Sequence, residues 1–215
     1  MPVTHQDHPN LHIFRHPLIQ RKLSLIRDKS TSHRAFRGLL QQITGLMVYE
    51  VTRNFPTEPI MIDGPLETSQ GVRLRGDITI VPILRAGLGM ADGILELVPE
   101  ACVGHIGLYR DESSLRPVSY YCKLPPDIAA GPVILVDPML ATGGSAEAAT
   151  TTLKEQGCND IRMICLVAAP EGVKAMYKAH PDIGIYTAAL DRELNEQGYI
   201  LPGLGDAGDR IFGTQ

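Results

Sequence analysis

The residues best suited to chemistry fall in one string, Val133-Ile134-Leu135-Val136-Asp137-Pro138-Met139-Leu140-Ala141-Thr142-Gly143-Gly144-Ser145. A buried-type strand runs into an acid, then a Thr-Gly-Gly-Ser turn, then a helical stretch. In an open α/β sheet, ligands lie beyond the carboxyl ends of the strands. Gly143 and Gly144 allow close backbone approach. The N–H groups that open the following helix face an anion, and the helix dipole favours it. Thr142 and Ser145 add hydroxyl donors. Asp137 repels a phosphate but suits the sugar hydroxyls beside one. The string is neither Gly-x-x-x-x-Gly-Lys-Ser/Thr nor Gly-x-Gly-x-x-Gly, which disfavours an ATPase or a dinucleotide enzyme. A plain capped strand–turn–helix is the competing reading.

Two arginines extend the constellation. Arg85 sits at the predicted end of one strand, ahead of Ala86-Gly87, and Arg110 ends the next. Both would project from the sheet edge that carries the Gly-Gly turn, and a guanidinium fork matches phosphate oxygens. Lys123 lies in a segment that could close over the same ligand or stand in solvent. The tail from Gly198 to Arg210 is dense in glycine, yet Tyr199, Ile200, Leu201 and Leu204 give it apolar anchors that a solvated end does not need.

These groups need a scaffold. Pro17 opens one helical pattern with its stripe on Leu18, Ile19, Leu23, Leu25 and Ile26. Thr31 or Ser32 caps a longer one that runs from Phe36 to Val51 and stops before Pro56 and Pro59. Strand and helix patterns then alternate. Strands are expected over Ile78–Leu84, Cys102–Tyr109, Val133–Val136, Ile161–Ala168 and Ile183–Ala188. Helices are expected over Gly87–Leu97, Gly144–Gln156 and Gly172–His180. That alternation predicts an α/β fold, a parallel sheet flanked by helices. A hairpin near 59–76 and an antiparallel arm from Arg116 to Leu124 break the rhythm. No repeat or linker divides residues 1–215, so one domain is expected.

Composition narrows the function. The formal net charge is −4, so no global positive field draws nucleic acid. Apolar runs fall short of the ~20 residues of a membrane span. The amino terminus lacks signal-peptide character. Cys102, Cys122, Cys158 and Cys165 form no Cys-x-x-Cys pair and read as reduced thiols of a cytoplasmic protein. His5, His8, His12 and His16 read as a frayed polar terminus rather than a metal site.

The string Asp-Pro-Met-Leu-Ala-Thr-Gly-Gly-Ser, complete from Asp137 to Ser145, resembles the phosphoribosyl diphosphate (PRPP) loop of type I phosphoribosyltransferases. Many of those carry two adjacent acids. Pro138 in place of the second acid resembles the uracil-specific branch. His16-Pro17-Leu18, Val81 to Met90, Gly107 to Arg110, Val167 to Gly172 and Leu194 to Thr214 extend the similarity.

The resemblance implies a phosphoribosyl fold with a small hood, made by the amino-terminal helices and the carboxyl-terminal loop, and transfer from PRPP to uracil. PRPP binding is implied for Arg85, Arg110, Asp137, Pro138, Met139, Leu140, Ala141, Thr142, Gly143, Gly144, Ser145 and Asp206. Uracil binding is implied for Ile200, Gly205, Asp206 and Ala207, through main-chain groups. Asp137, Arg110 and Asp206 are the expected catalytic residues. Mg²⁺ would come with PRPP, held through its oxygens and water rather than by a protein cage. Relatives are homo-oligomers, and GTP activates some of them, which makes GTP a candidate activator here. The rival readings are an RNA-binding uridine-nucleotide sensor, which would need a basic face, and a purine or orotate transferase, which the single loop acid and the uracil-type tail disfavour.

Overall fold

The computed structural model describes residues 1–110 and 117–214. In chain order the elements begin with β1 (Val3–Thr4), β2 (Leu11–Ile13), α1 (Pro17–Arg27) and α2 (His33–Val51). Next come β3 (Thr57–Asp63), β4 (Thr68–Leu74), β5 (Thr79–Leu84), α3 (Leu88–Leu95), β6 (Cys102–Val103), β7 (His105–Arg110) and β8 (Pro117–Lys123). After a 3-10 turn at Ile128–Ala130 follow β9 (Val133–Val136), β10 (Met139–Leu140), α4 (Gly144–Glu155), β11 (Ile161–Ala168) and α5 (Pro170–Ala179). The chain closes with β12 (Gly184–Leu190), β13 (Glu193–Leu194), β14 (Ile200–Leu201) and α6 (Ala207–Phe212).

The main sheet runs β1-β2-β12-β11-β9-β5-β7-β8, with β10 against β11 and β6 against β5. The pairs from β2 through β12, β11, β9 and β5 to β7 are parallel. β8 lies antiparallel on β7, which is the expected arm. The expected hairpin is β3 on β4, outside the main sheet.

Strand alternation builds a core on each face, because successive side chains point to opposite sides. Ile80, Ile134, Val136, Ile164 and Leu166 pack against Phe36, Leu40, Met47 and Ile94 of α2 and α3. Val81, Ile83, Val133, Leu135 and Met163 pack against Ala149 and Leu153 of α4 and Val173 and Met176 of α5. Both faces are apolar, so the strands read as continuous hydrophobic runs.

Helix starts follow local chemistry. His16 caps α1 and Pro17 takes its first turn, while the Ser32 side chain accepts from Ala35 N–H at the start of α2. α5 begins at Pro170, two residues before the expected start, because proline fits the first helical turn.

The frayed amino terminus expected from the sequence is not what the structure contains. β2 adds to the sheet beside β12, and Leu11 is fully buried. Asn10 Nδ2 donates to the Ile183 carbonyl at 2.9 Å. The physical reason is the open edge of β12, which would otherwise present unpaired N–H and C=O groups. Burying Leu11 adds about 1.5–3 kcal/mol. His12 stacks on Tyr186 with ring centroids 4.7 Å apart, and His16 caps α1. The strand expected from Cys102 to Tyr109 is interrupted at Gly104, giving β6 and β7.

Candidate active site

The Asp137–Ser145 turn is shaped by backbone pairing on both sides. Asp137 N–H donates to Ile164 O at 3.2 Å, and Pro138 O accepts from Leu166 N–H at 3.0 Å. Met139 and Leu140 then pair in parallel with Val167 and Ala168. Gly143 follows at φ +88°, the left-handed region where glycine is at ease, and α4 starts immediately after it. No side chain caps α4, so its first-turn N–H groups face a small cavity of about 100 Å³. Asp137, Met139, Leu140, Ala141, Thr142, Gly143, Gly144 and Ser145 all line that cavity. Pro138 is buried and does not line it.

A second cavity of about 230 Å³ adjoins the first and shares Asp137, Met139 and Ala141 with it. The tail supplies the opposite wall: Gly198, Tyr199, Ile200, Gly205, Asp206, Ala207 and Gly208. The expected loop is more ordered than a loop. Leu194 and Ile200 pair in the β13–β14 hairpin, and Asn195 Oδ1 accepts from Tyr199 N–H at 2.8 Å to close its turn. Asp206 caps α6, its Oδ1 accepting from Asp209 N–H at 2.9 Å. Arg27 of α1 grips Asp191 with both terminal nitrogens and also donates to Gly203 O at 2.7 Å. Arg210 donates to Leu204 O and Asp28 O and lies over the Phe36 ring. These bonds tie the tail to α1 and α2 and form the expected hood.

Arg85 directly follows β5, and Ala86 lines the larger cavity. A Cβ at Gly87 would sit 2.5 Å from Val136 O, so only glycine lets this turn approach the end of β9. The Arg85 guanidinium is 3.7 Å from Asp209 Oδ1 and faces the Phe212 ring. It therefore lies beside the hood and lines neither cavity, although the next residue, Ala86, lines the larger one. Arg110 ends β7 opposite Pro117, and its side chain lies outside what the structure describes. Lys123 ends β8 and lines neither cavity.

Burial raises the Asp137 carboxyl to about 7, while the Met139 N–H, 3.3 Å from its Oδ1, acts in the opposite direction. Asp137 is half-buried, and its exposed surface opens into the two cavities. Burial likewise pushes the Cys165 thiol up to about 12, with the nearby Asp137 charge adding to the rise. Among the described residues no cluster of three or more His, Cys, Asp or Glu could hold a metal ion. The acids at the cavities are Asp137 and Asp206, a donor set suited to water- and ligand-mediated contact with a hard cation.

A wider groove of about 440 Å³ lies among α1, α2 and α3, but its mostly apolar lining contains no phosphate turn. The Asp137–Ser145 turn lines the two smaller cavities instead. The sequence reading missed Arg27 and Asp191, which line neither cavity yet hold one wall. No local signal marks them, because their pairing arises only in the folded chain.

A sequence model described as uracil phosphoribosyltransferase matches residues 13–214. A uracil phosphoribosyltransferase of Clostridium perfringens is 59% identical over 201 residues, 93% of this chain and 96% of that one. One of Listeria innocua is 56% identical over 207 residues, 96% of this chain and 99% of the other. A solved structure from Aquifex aeolicus superposes with TM-score 0.90 at 35% identity, covering 94% of this chain and 97% of that one. A hypoxanthine-guanine phosphoribosyltransferase of Bacillus anthracis shares the fold alone, with TM-score 0.52 at 14% identity over 74% of this chain and 80% of its own. With a match of this extent, the chain belongs to the uracil phosphoribosyltransferase family.

Proposed function

We propose that the protein transfers the phosphoribosyl group of PRPP to uracil, giving UMP and diphosphate, a pyrimidine salvage reaction. The observation that carries this reading is the shared wall of Asp137, Met139 and Ala141 between the cavity at the start of α4 and the one walled by the tail. A sugar bridging the two would place its anomeric carbon between phosphate and base.

In this reading the α4 N–H groups with Thr142 and Ser145 hold the 5′-phosphate, and Asp137 accepts from the ribose hydroxyls. Main-chain groups of Ile200 and of Gly205 to Ala207 read the acceptor–donor–acceptor edge of uracil. A uracil ring nitrogen forms the new bond to the anomeric carbon as the bond to diphosphate breaks, and the proton on that nitrogen passes to water. Arg85 and Arg110 stabilise the charge that develops on the leaving group. Bound Mg²⁺ would neutralise diphosphate charge, and Asp206 and Asp137 are the residues to meet it through water. Asp206 engages Oδ1 in its cap. Turnover of radiolabelled uracil with PRPP and Mg²⁺ tests the assignment.

The β3–β4 hairpin supports a homo-oligomer. Among the described residues it pairs only with itself, and Met61, Leu66 and Val72 are 69%, 97% and 69% exposed. Isolated hairpins are marginal in water. A second copy of this chain is the cover we assign to these side chains. Sedimentation of a Met61→Lys, Val72→Lys variant tests this, with dissociation expected. The cytoplasm is the assigned compartment, in keeping with four free cysteines. No described helix is long and apolar enough to cross a membrane.

A further inference from the structure

One short helix end touches both halves of the candidate site. α5 begins at Pro170, directly after β11, and its first turn contains Glu171 and Gly172. A Cβ at Gly172 would lie 2.4 Å from the Ala141 carbonyl oxygen and 2.8 Å from that of Leu140. Both are backbone atoms of the phosphate turn, so α5 packs main chain against main chain there and leaves no room for a side chain. The contact is mutual, because a Cβ at Gly143 would lie 3.0 Å from Gly172 O and 2.9 Å from the Ala175 methyl.

The neighbouring residue reaches the other half. Glu171 Oε1 accepts the Leu194 N–H at 3.1 Å. Leu194 is the β13 partner of Ile200, which lines the base-side cavity. Two consecutive residues therefore hold the phosphate turn on one side and the base-side hairpin on the other. Neither residue lines either of these two cavities.

We propose that Glu171 and Gly172 are positioning residues that set the spacing between the phosphate and base half-sites. The inference rests on the assignment of PRPP and uracil to those halves. Its physical basis is that a displacement of about 1 Å between bound reactants can lower a rate by about 10²-fold. An ordinary packing role would change stability and move both substrates together. A spacing role separates them, because Glu171 holds only the hairpin and Gly172 only the turn.

The test compares four variants of the full chain, Glu171→Leu, Glu171→Gln, Gly172→Ala and Ala175→Val. It measures uracil KM, PRPP affinity by calorimetry, thermal unfolding, and amide-exchange protection at Leu194. Glu171→Leu is expected to raise uracil KM about 2–12-fold, the range for one hydrogen bond, with PRPP affinity unchanged and Leu194 protection lost. Glu171→Gln keeps an acceptor oxygen and should restore both readouts. Gly172→Ala should weaken PRPP binding by displacing the turn. If Gly172→Ala does not fold, Ala175→Val presses on Gly143 from the same helix and should weaken PRPP binding in the same direction. Wild-type uracil KM or retained Leu194 protection in Glu171→Leu would overturn the proposal. So would wild-type PRPP affinity in a folded Gly172→Ala or Ala175→Val. A wild-type protein that binds PRPP but ignores uracil contradicts the substrate assignment instead, and Leu194 exchange still reads the bridge.

Discussion

Arg27 holds Asp191 with two parallel hydrogen bonds of 2.6 and 2.9 Å, and the two residues together clamp Gly203 by its N–H and its carbonyl. The pair joins α1 to the tail that walls the base-side cavity. Asp191 is 8% exposed, so its oxygens take their hydrogen bonds from Arg27 and the Gly203 N–H rather than from water.

Arg27→Ala should therefore destabilise the fold by about 3 kcal/mol, the scale for stranding one partner of a buried pair. Urea unfolding measures this. Uracil KM should rise as the tail loosens, while PRPP affinity is largely kept. Equal stability in the variant would show that the clamp contributes nothing.

The pH dependence follows from Asp137. Its carboxyl titrates near 7 in the free protein instead of near 3.8, so the folded state holds this proton more tightly than the unfolded chain does. That contribution to stability is full below about 4 and is lost as pH rises through about 7. Ribose hydroxyls donate to the charged form and favour it. PRPP binding between about pH 5 and 7 should thus release up to one proton, and kcat/KM for PRPP should fall as pH drops below about 7. Calorimetry in two buffers of different ionisation enthalpy counts the proton. Asp137→Asn should abolish the release, and a wild-type protein releasing none contradicts the assigned contact.

Gly144→Val should leave the protein folded and remove PRPP binding, since a branched side chain would occupy the anion's place at the start of α4. Circular dichroism and calorimetry on the same sample decide it. Full affinity in the folded variant would move the phosphate elsewhere.

Arg110→Ala should lower kcat/KM for PRPP by the equivalent of about 2–4 kcal/mol, the scale for one preorganised donor to a developing anion. Steady-state kinetics at saturating uracil provides the value. An unchanged rate would separate Arg110 from the leaving group.

What the sequence revealed depended on whether the signal was local. The strand–acid–Gly-Gly–helix string is local, and Asp137 to Ser145 indeed converge on one cavity apart from the buried Pro138. Helix starts at Pro17 and Ser32 were readable because each is written in its own cap. The amino-terminal strand was not, because polar flanks mask Leu11 and only the open edge of β12 makes it a strand. The ordered tail was legible only in part. Of its four expected anchors, Ile200 and Leu204 are buried and Leu201 half-buried, but Tyr199 is 48% exposed, and α6 with its Asp206 cap was not legible. The Arg27–Asp191 clamp and the Glu171–Leu194 bond join distant segments, and no spacing in the sequence encodes them.

The central claim is that a hood-covered cavity beside a phosphate turn admits uracil through main-chain groups. Turnover at saturating PRPP with uracil, cytosine, hypoxanthine and orotate tests it most directly. Uracil should react, and Ile200→Val should change its KM only modestly, since one methylene is worth about 0.8 kcal/mol. Cytosine should be rejected by about 10⁴-fold, because its edge leaves buried polar groups unpaired. A comparable rate with any second base, or no turnover of uracil, would contradict the account.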